Sequence, residues 1–268
     1  MTYFQAILLG IIQGLTEFLP VSSSGHLVLG QGILGIKQSG NEFELMVHIG
    51  TLCSVLIYFR KQLFNLVLSL FDRSRTREHK IIFGLFIATL PVVVVALLFN
   101  DYIEAAFESS LVASAMLCVT GIILFIPTWL KIKTQAPAEN PAPPTLRQSI
   151  IMGLGQALAI LPGISRSGST ITGGLLAKVH PAMAAEFSFL MAIPAICGAA
   201  VFKLKDFNES ANLDWGPYLA GTAAAFLFGL IAVYLVLATI RRGKFQYFGY
   251  YCIALGLVGL IYFSQNPA

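Results

Sequence analysis

Apolar residues in this chain do not alternate with polar ones; they run in blocks separated by short polar interruptions. Residues 81–99, 110–129, 217–238 and 245–263 are each close to the roughly 20 apolar residues that carry a helix across a bilayer. Residues 44–59 and 181–202 are two more, the second with Pro194 as an expected kink. Four blocks are too short to cross: 3–16 and 27–36, and 148–161 and 171–178. Each short pair brackets a polar loop, Glu17–His26 in the first half and Pro162–Thr170 in the second. Two short helices around a polar turn predict a re-entrant hairpin, which is tolerated only where protein or a water-filled cavity surrounds it. The pattern therefore predicts an all-α polytopic membrane protein with six transmembrane helices and two re-entrant helical hairpins.

Composition supports that class. Of 268 residues 56% are hydrophobic and only 11% charged, with a mean hydropathy of +0.78. A soluble domain carries roughly 25% charged residues. The net charge of +4 does not point to nucleic acid, because the basic residues cluster between apolar blocks. Loops 60–80, 131–147 and 241–244 hold twelve of the seventeen Lys and Arg residues (six, three and three) and should be cytoplasmic. Loops 100–108 and 203–216 should then be external. The four cysteines lie inside apolar blocks without metal-ligand spacing and are expected to be buried small hydrophobes. No basic region or small-residue cleavage site opens the chain, so no removable signal peptide is expected.

The Pro/Ala-rich stretch 131–147 divides the chain into repeat one, 1–130, and repeat two, 148–268. Shifting the chain by 143 residues without gaps places Gln5, Ile7, Gly10, Gln13, Leu15, Ser22, Ser24 and Gly25 on identical residues. Each repeat is a hairpin plus three spans, an odd number, so the two should have opposite topology and both termini should be external. Inverted repeats with broken helices build a polar site near the membrane midplane.

The mismatches under that shift locate the chemistry. Glu17 falls on Ile160, Ser23 on Arg166 and His26 on Ser169. If the loops meet, an Arg fork from one side faces a Glu/His pair from the other. Arg binds phosphate bidentately, Gly-rich loops at helix ends offer N–H groups to anions, and Glu can hold Mg²⁺ or act as a base. Together these parts describe a phosphoryl-transfer site. In the bland readings, Ser22 and Ser24 cap the turn and His26 bonds a backbone carbonyl. His48, His79 and His180 show no pairing pattern and are not expected in the site.

The motifs Gln13-Gly-Leu-Thr-Glu17-Phe-Leu-Pro-Val-Ser-Ser-Ser-Gly-His26 and Pro162-Gly-Ile-Ser-Arg166-Ser-Gly-Ser-Thr170 resemble those of the undecaprenyl-diphosphate phosphatases, also called bacitracin-resistance proteins. The resemblance covers nearly the whole chain. It implies hydrolysis of a polyprenyl diphosphate lipid to the monophosphate and inorganic phosphate, recycling the lipid carrier of cell-wall synthesis. It implies a divalent metal cofactor, Mg²⁺ or Ca²⁺, on Glu17. Catalytic roles fall to Glu17, Ser23, His26 and Arg166. Substrate-binding roles fall to Gln13, Ser22, Ser165, Ser167 and Thr170. Many members of the family carry Glu where this chain has Gln13, which cannot be a charged ligand. The expected location is the bacterial cytoplasmic membrane with the site opening outward. The expected partners are membrane lipid and a candidate second copy in a homodimer, with no nucleic acid. Two other classes share features. A secondary transporter or lipid-phosphate flippase uses the same inverted repeat. The metal-independent type-2 phosphatidic-acid phosphatases share Ser24-Gly25-His26 and Ser165-Arg166, but their Lys-x6-Arg-Pro and His-x3-Asp signatures are absent here.

Overall fold

A computed structural model describes residues 1–36, 41–132, 138, 140–203, 214–241 and 244–266. Lys133, Arg242 and most of loop 203–216 lie outside the described residues. Among those described, all regular structure is helical. The order is α1 (Tyr3–Phe18), α2 (Ser23–Ile33), α3 (Asn41–Tyr58), α4 (Arg60–Ser69), α5 (Thr76–Leu98), α6 (Asn100–Phe107), α7 (Ser110–Trp129), α8 (Leu146–Leu158), α9 (Arg166–Leu176), α10 (Pro181–Lys203), α11 (Trp215–Arg241) and α12 (Tyr247–Gln265).

Five of these, α5, α7, α10, α11 and α12, are long and apolar enough to span a membrane. The sixth expected span, α3, reaches that standard only together with α4, across a 76° bend. Helices α4 and α6 occupy stretches that the apolar pattern leaves as loop, because Arg60 and Lys61 open α4, and Asp101 and Glu104 interrupt α6. The cysteines correct another expectation. Only Cys252 is buried, while Cys53 and Cys197 are exposed. A thiol among lipid-facing apolar residues is as comfortable as one in the core, so an apolar neighbourhood in sequence does not distinguish the two.

The two hairpins share their local construction at the 143-residue offset. Thr2 and Gln5 form a capping box on α1, and Thr145 and Gln148 form one on α8. Ser22 accepts from the Gly25 N–H at the start of α2, and Ser165 from the Gly168 N–H at the start of α9. Both second helices end in a left-handed residue, Gly35 at φ 60° and Lys178 at φ 62°. The sequence reading began these helices too late. The caps start them at Ser23 and Arg166, so the polar residues sit in their first turns.

Small residues let the first hairpin helices pack deeply. A Cβ on Gly10 of α1 would stand 2.2 Å from the Gly221 carbonyl of α11, and one on Gly14 would stand 2.6 Å from that of Ala225. In the second half, a Cβ on Gly153 of α8 would stand 2.6 Å from the Ala88 carbonyl of α5. Close backbone approach of this kind substitutes for hydrophobic driving force between helices in lipid. The contact registers make α1 parallel to α11 and α8 parallel to α5. The hairpin tips then touch. A Cβ on Gly25 would lie 2.9 Å from Gly163 Cα. Gly163 itself, at φ 94°, lies against the Ala113 carbonyl of α7.

Candidate active site

The tip contact places three elements around one carboxylate. Glu17 is in the last turn of α1 and is 6% exposed. Its Oε1 accepts from Arg166 Nη2 at 2.5 Å. Its Oε2 accepts from Ser23 Oγ at 2.6 Å and from Gln13 Nε2 at 2.9 Å. Gln13 is one turn before Glu17, so the i, i+4 spacing of α1 aligns the two side chains. Ser23 and Arg166 are the first residues of α2 and α9, the positions equated by the 143-residue shift. Both stand at helix starts, and both side chains reach the same acid from opposite tips. An isolated carboxylate buried in apolar surroundings is costly; three donors, one of them cationic, offset that cost.

Two polar atoms in this cluster remain without a partner. Arg166 Nη1 and Gln13 Oε1 are buried and unbonded. One is a cationic N–H donor and the other a neutral oxygen acceptor, and both belong to side chains tied to Glu17. Such atoms mark places where a bound group completes the network. The donor chemistry fits a hard divalent cation, because carboxylate and amide oxygens are the ligands Mg²⁺ and Ca²⁺ take. Among the described residues no group of three or more His, Cys, Asp or Glu forms a metal cluster. Glu17 and Gln13 are the residues that would hold such a cation.

The remaining site residues of the sequence reading divide into two sets. The first lines the opening. Ser23, Ser24, His26 and Arg166 are partly exposed. His26 does not meet Ser23. Its Nδ1 lies 2.7 Å from the Ser22 carbonyl and its Nε2 lies 2.7 Å from the Tyr251 hydroxyl, with the two rings stacked at 11°. A carbonyl can only accept, so Nδ1 carries the proton and Nε2 accepts from Tyr251. Both nitrogens are engaged away from Ser23, so Ser23 and His26 form no pair. The serine proton points at Glu17 instead.

The second set is scaffold. Ser22, Ser165, Ser167 and Thr170 are at most 3% exposed. Ser167 donates to the Leu19 carbonyl, tying the second tip to the first. Thr170 donates to the Arg166 carbonyl and pairs with Ser188. The Ser165 N–H donates to Thr120 Oγ1 on α7. These hydroxyls hold the loops that present Ser23 and Arg166, and their own partners are protein atoms.

Two neighbours of the site escaped the sequence reading. Tyr251 is one of several aromatic residues in α12, with nothing local to single it out. His48 shows no pairing pattern in the sequence. Its Nε2 nevertheless lies 3.7 Å from Glu17 Oε2, with Nδ1 2.6 Å from the Glu44 carbonyl. An imidazole in an otherwise apolar span was the available signal.

The comparisons with known proteins converge. The sequence model of the family described as bacitracin resistance protein BacA matches residues 6–258. An undecaprenyl-diphosphatase of Carboxydothermus hydrogenoformans is 42% identical over 265 residues, covering 97% of each chain. Proteins of that name from Elusimicrobium minutum and Methanobrevibacter smithii are 38% and 39% identical. The former covers 97% of this chain and 98% of its relative, the latter 96% of each.

Proposed function

The chain belongs to the bacitracin resistance protein BacA family, and on that premise we propose that it is an undecaprenyl-diphosphatase whose reaction is run by Glu17, Ser23 and Arg166. The observation that carries this reading is one buried carboxylate, gripped by a serine from one hairpin and an arginine from the other. The lipid keeps one phosphate and the terminal one is released, which recycles the carrier for cell-wall synthesis and accounts for bacitracin resistance.

Diphosphate brings at least two negative charges into a low-dielectric site, so cationic groups must be in place before an oxygen nucleophile approaches. Arg166 supplies the first, with Nη1 free to receive a phosphoryl oxygen while Nη2 stays on Glu17. Glu17 and Gln13 are the residues that would hold a divalent cation, which would supply further charge neutralisation when bound. Ser23 Oγ attacks the terminal phosphorus. Its proton passes to Glu17 Oε2 along the existing 2.6 Å hydrogen bond. The Oγ–P bond forms as the bridging P–O bond breaks and the lipid monophosphate departs. A phosphate monoester is a stable leaving group that needs no proton from an acid, so catalysis rests on positioning and electrostatics. Water then attacks the phosphoserine. The Oγ–P bond breaks, Glu17 returns its proton to Ser23, and both water protons leave on the phosphate. The Tyr251 hydroxyl, at the opening beside His26, turns its proton from His26 Nε2 to the phosphate that remains on the lipid.

Opposed hairpins account for the pairing of α1 with α11 and of α8 with α5. We take the two repeats as inverted in the cytoplasmic membrane, with basic loops inside and the site facing the external leaflet, where a released lipid diphosphate would accumulate.

Phosphate release from undecaprenyl diphosphate by detergent-solubilised protein tests the assignment. Turnover there, where no gradient exists, separates a phosphatase from a transporter. Loss of turnover on adding EDTA, restored by Mg²⁺ or Ca²⁺, separates it from the metal-independent phosphatases. Ser23→Ala should lose several orders of magnitude. A tenth or more of the wild-type rate under single-turnover conditions would transfer the attack to water and leave Ser23 as a ligand.

A further inference from the structure

We infer that His48 Nε2 completes the cation site of Glu17 and Gln13, giving this protein a mixed nitrogen–oxygen site that favours Mn²⁺ and other first-row transition metals over Mg²⁺ and Ca²⁺. The inference rests on the cation reading of the site and extends it to a residue on a third element.

The geometry comes from three helices. His48 lies in α3, Glu17 and Gln13 in α1, and the Arg166 that balances the carboxylate in α9. His48 Nδ1 is 2.6 Å from the Glu44 carbonyl one turn earlier in α3. That carbonyl can only accept, so Nδ1 bears the hydrogen and the lone pair of the neutral ring is on Nε2. A backbone carbonyl that fixes the tautomer and aims the other nitrogen is the outer-shell arrangement of metal-ligating histidines. Nε2 is 3.7 Å from Glu17 Oε2. Two donors each about 2.1 Å from one cation stand about 3 to 4 Å apart. The same carboxylate oxygen takes the Gln13 amide nitrogen at 2.9 Å. Gln13 is fully buried, and its Oε1 has no partner. An imidazole lone pair thus faces a carboxylate oxygen beside the Arg166 fork, and the orphaned amide oxygen belongs to the side chain bonded to that same carboxylate oxygen. The His48 side chain is 28% exposed, so the place is open to an entering ion and to phosphate.

The donor set decides the preference. Oxygen-only sites suit Mg²⁺ and Ca²⁺, whereas an imidazole raises affinity for Mn²⁺, Co²⁺ and Zn²⁺. Gln13 contributes a neutral oxygen, so the nitrogen matters more here than it would beside a second carboxylate.

Electron spin-echo measurements on the full-length protein in detergent, loaded with Mn²⁺, test this directly. Wild type should show ¹⁴N modulation of the Mn²⁺ signal, converting to ¹⁵N modulation when histidine is supplied ¹⁵N-labelled. His48→Gln replaces the nitrogen by an amide oxygen at similar length. It should abolish the modulation and weaken Mn²⁺ binding by about tenfold or more, with Mg²⁺ affinity changed by less than about threefold. Bound Mn²⁺ without histidine modulation in wild type, while Glu17→Gln abolishes Mn²⁺ binding, would overturn the role of His48 and leave the cation on Glu17. Full Mn²⁺ binding in Glu17→Gln, or none in wild type, would overturn the cation reading itself. The wild-type isotope measurement needs no variant to fold.

Discussion

At the scale of single residues, the Glu17–Arg166 pair sets what can be tested by substitution. Removing one member of a buried ion pair leaves an uncompensated charge and costs about 3–5 kcal/mol. Alanine at either position would therefore confound folding with chemistry. Arg166→Lys keeps the charge and can still reach Glu17, but it lacks the second arm that Nη1 provides. We expect kcat/KM to fall about 100-fold or more, with an unshifted thermal transition. Near-normal turnover would remove phosphate clamping as the role of Arg166. Tyr251→Phe separates the two contacts that Tyr251 makes with His26, keeping the stacked ring and losing the hydroxyl. One neutral hydrogen bond is worth about 0.5–1.5 kcal/mol. If the pair binds lipid phosphate equally in ground and transition states, KM should rise about three- to tenfold. Little change in kcat should accompany it. A kcat loss at constant KM would place the pair in the chemical step instead. Glu17, Ser23 and Arg166 were legible in the sequence because charge and hydroxyls within apolar runs stand out. Tyr251 was not, because an aromatic residue in an aromatic-rich span carries no local mark. His48 was dismissed because its partner Glu17 is 31 residues away on another helix.

At the scale of elements, the site depends on two tips pressed together with no side chain between them. Gly25 tests this. Its Cβ would meet the backbone of Gly163 at 2.9 Å, and backbone cannot swing aside. Gly30 is one and a half turns further along the same helix, and its Cβ would meet Leu9 Cδ2 at 3.2 Å, the end of a flexible side chain. Alanine is the better helix former at both positions. Gly25→Ala should nevertheless destabilise the protein by about 1–3 kcal/mol and cut turnover sharply, by separating Ser23 from Arg166. Gly30→Ala should be near neutral or slightly stabilising. Thermal unfolding in detergent and phosphate release on both variants check the contrast, and equal effects would mean that the tips do not bear on each other. The hairpins themselves could be read from the chain, because four apolar blocks were too short to cross. Their start points could not. A run such as Val21-Ser22-Ser23-Ser24-Gly25-His26 reads as loop by composition. The cap from Ser22 to the Gly25 N–H is what turns its second half into helix. The same cap explains why hydroxyls read as phosphate ligands serve as scaffold.

At the scale of the whole molecule, helix direction relates the two halves. Helix α1 runs parallel to α11 and α8 parallel to α5. Helix α5 opens within a basic segment, Arg73 to Lys80, while α11 ends in one that begins at Arg241. If basic segments stay in the cytoplasm, α5 runs outward and α11 inward. Then α1 descends from outside, α8 rises from inside, and the hairpins enter from opposite faces to meet at their tips. Six crossings, counting α3 with α4 as one, would then bring both termini to the external side. Two hairpins of like construction share one site. The offset-related residues Ser23 and Arg166 converge on a single acid, because the other repeat has Ile160 where Glu17 stands. Single cysteines in a variant lacking the native four test the arrangement in intact cells. A cysteine at Thr2 or Asn266 should react with an impermeant maleimide from outside. One at Ser74, exposed in the turn between α4 and α5, should react only after lysis. Labelling of Ser74→Cys in intact cells together with protection of Thr2→Cys would reverse the orientation and move the opening to the cytoplasmic leaflet. Protection of one terminus alone would break the even count of spans, and with it the inverted repeat.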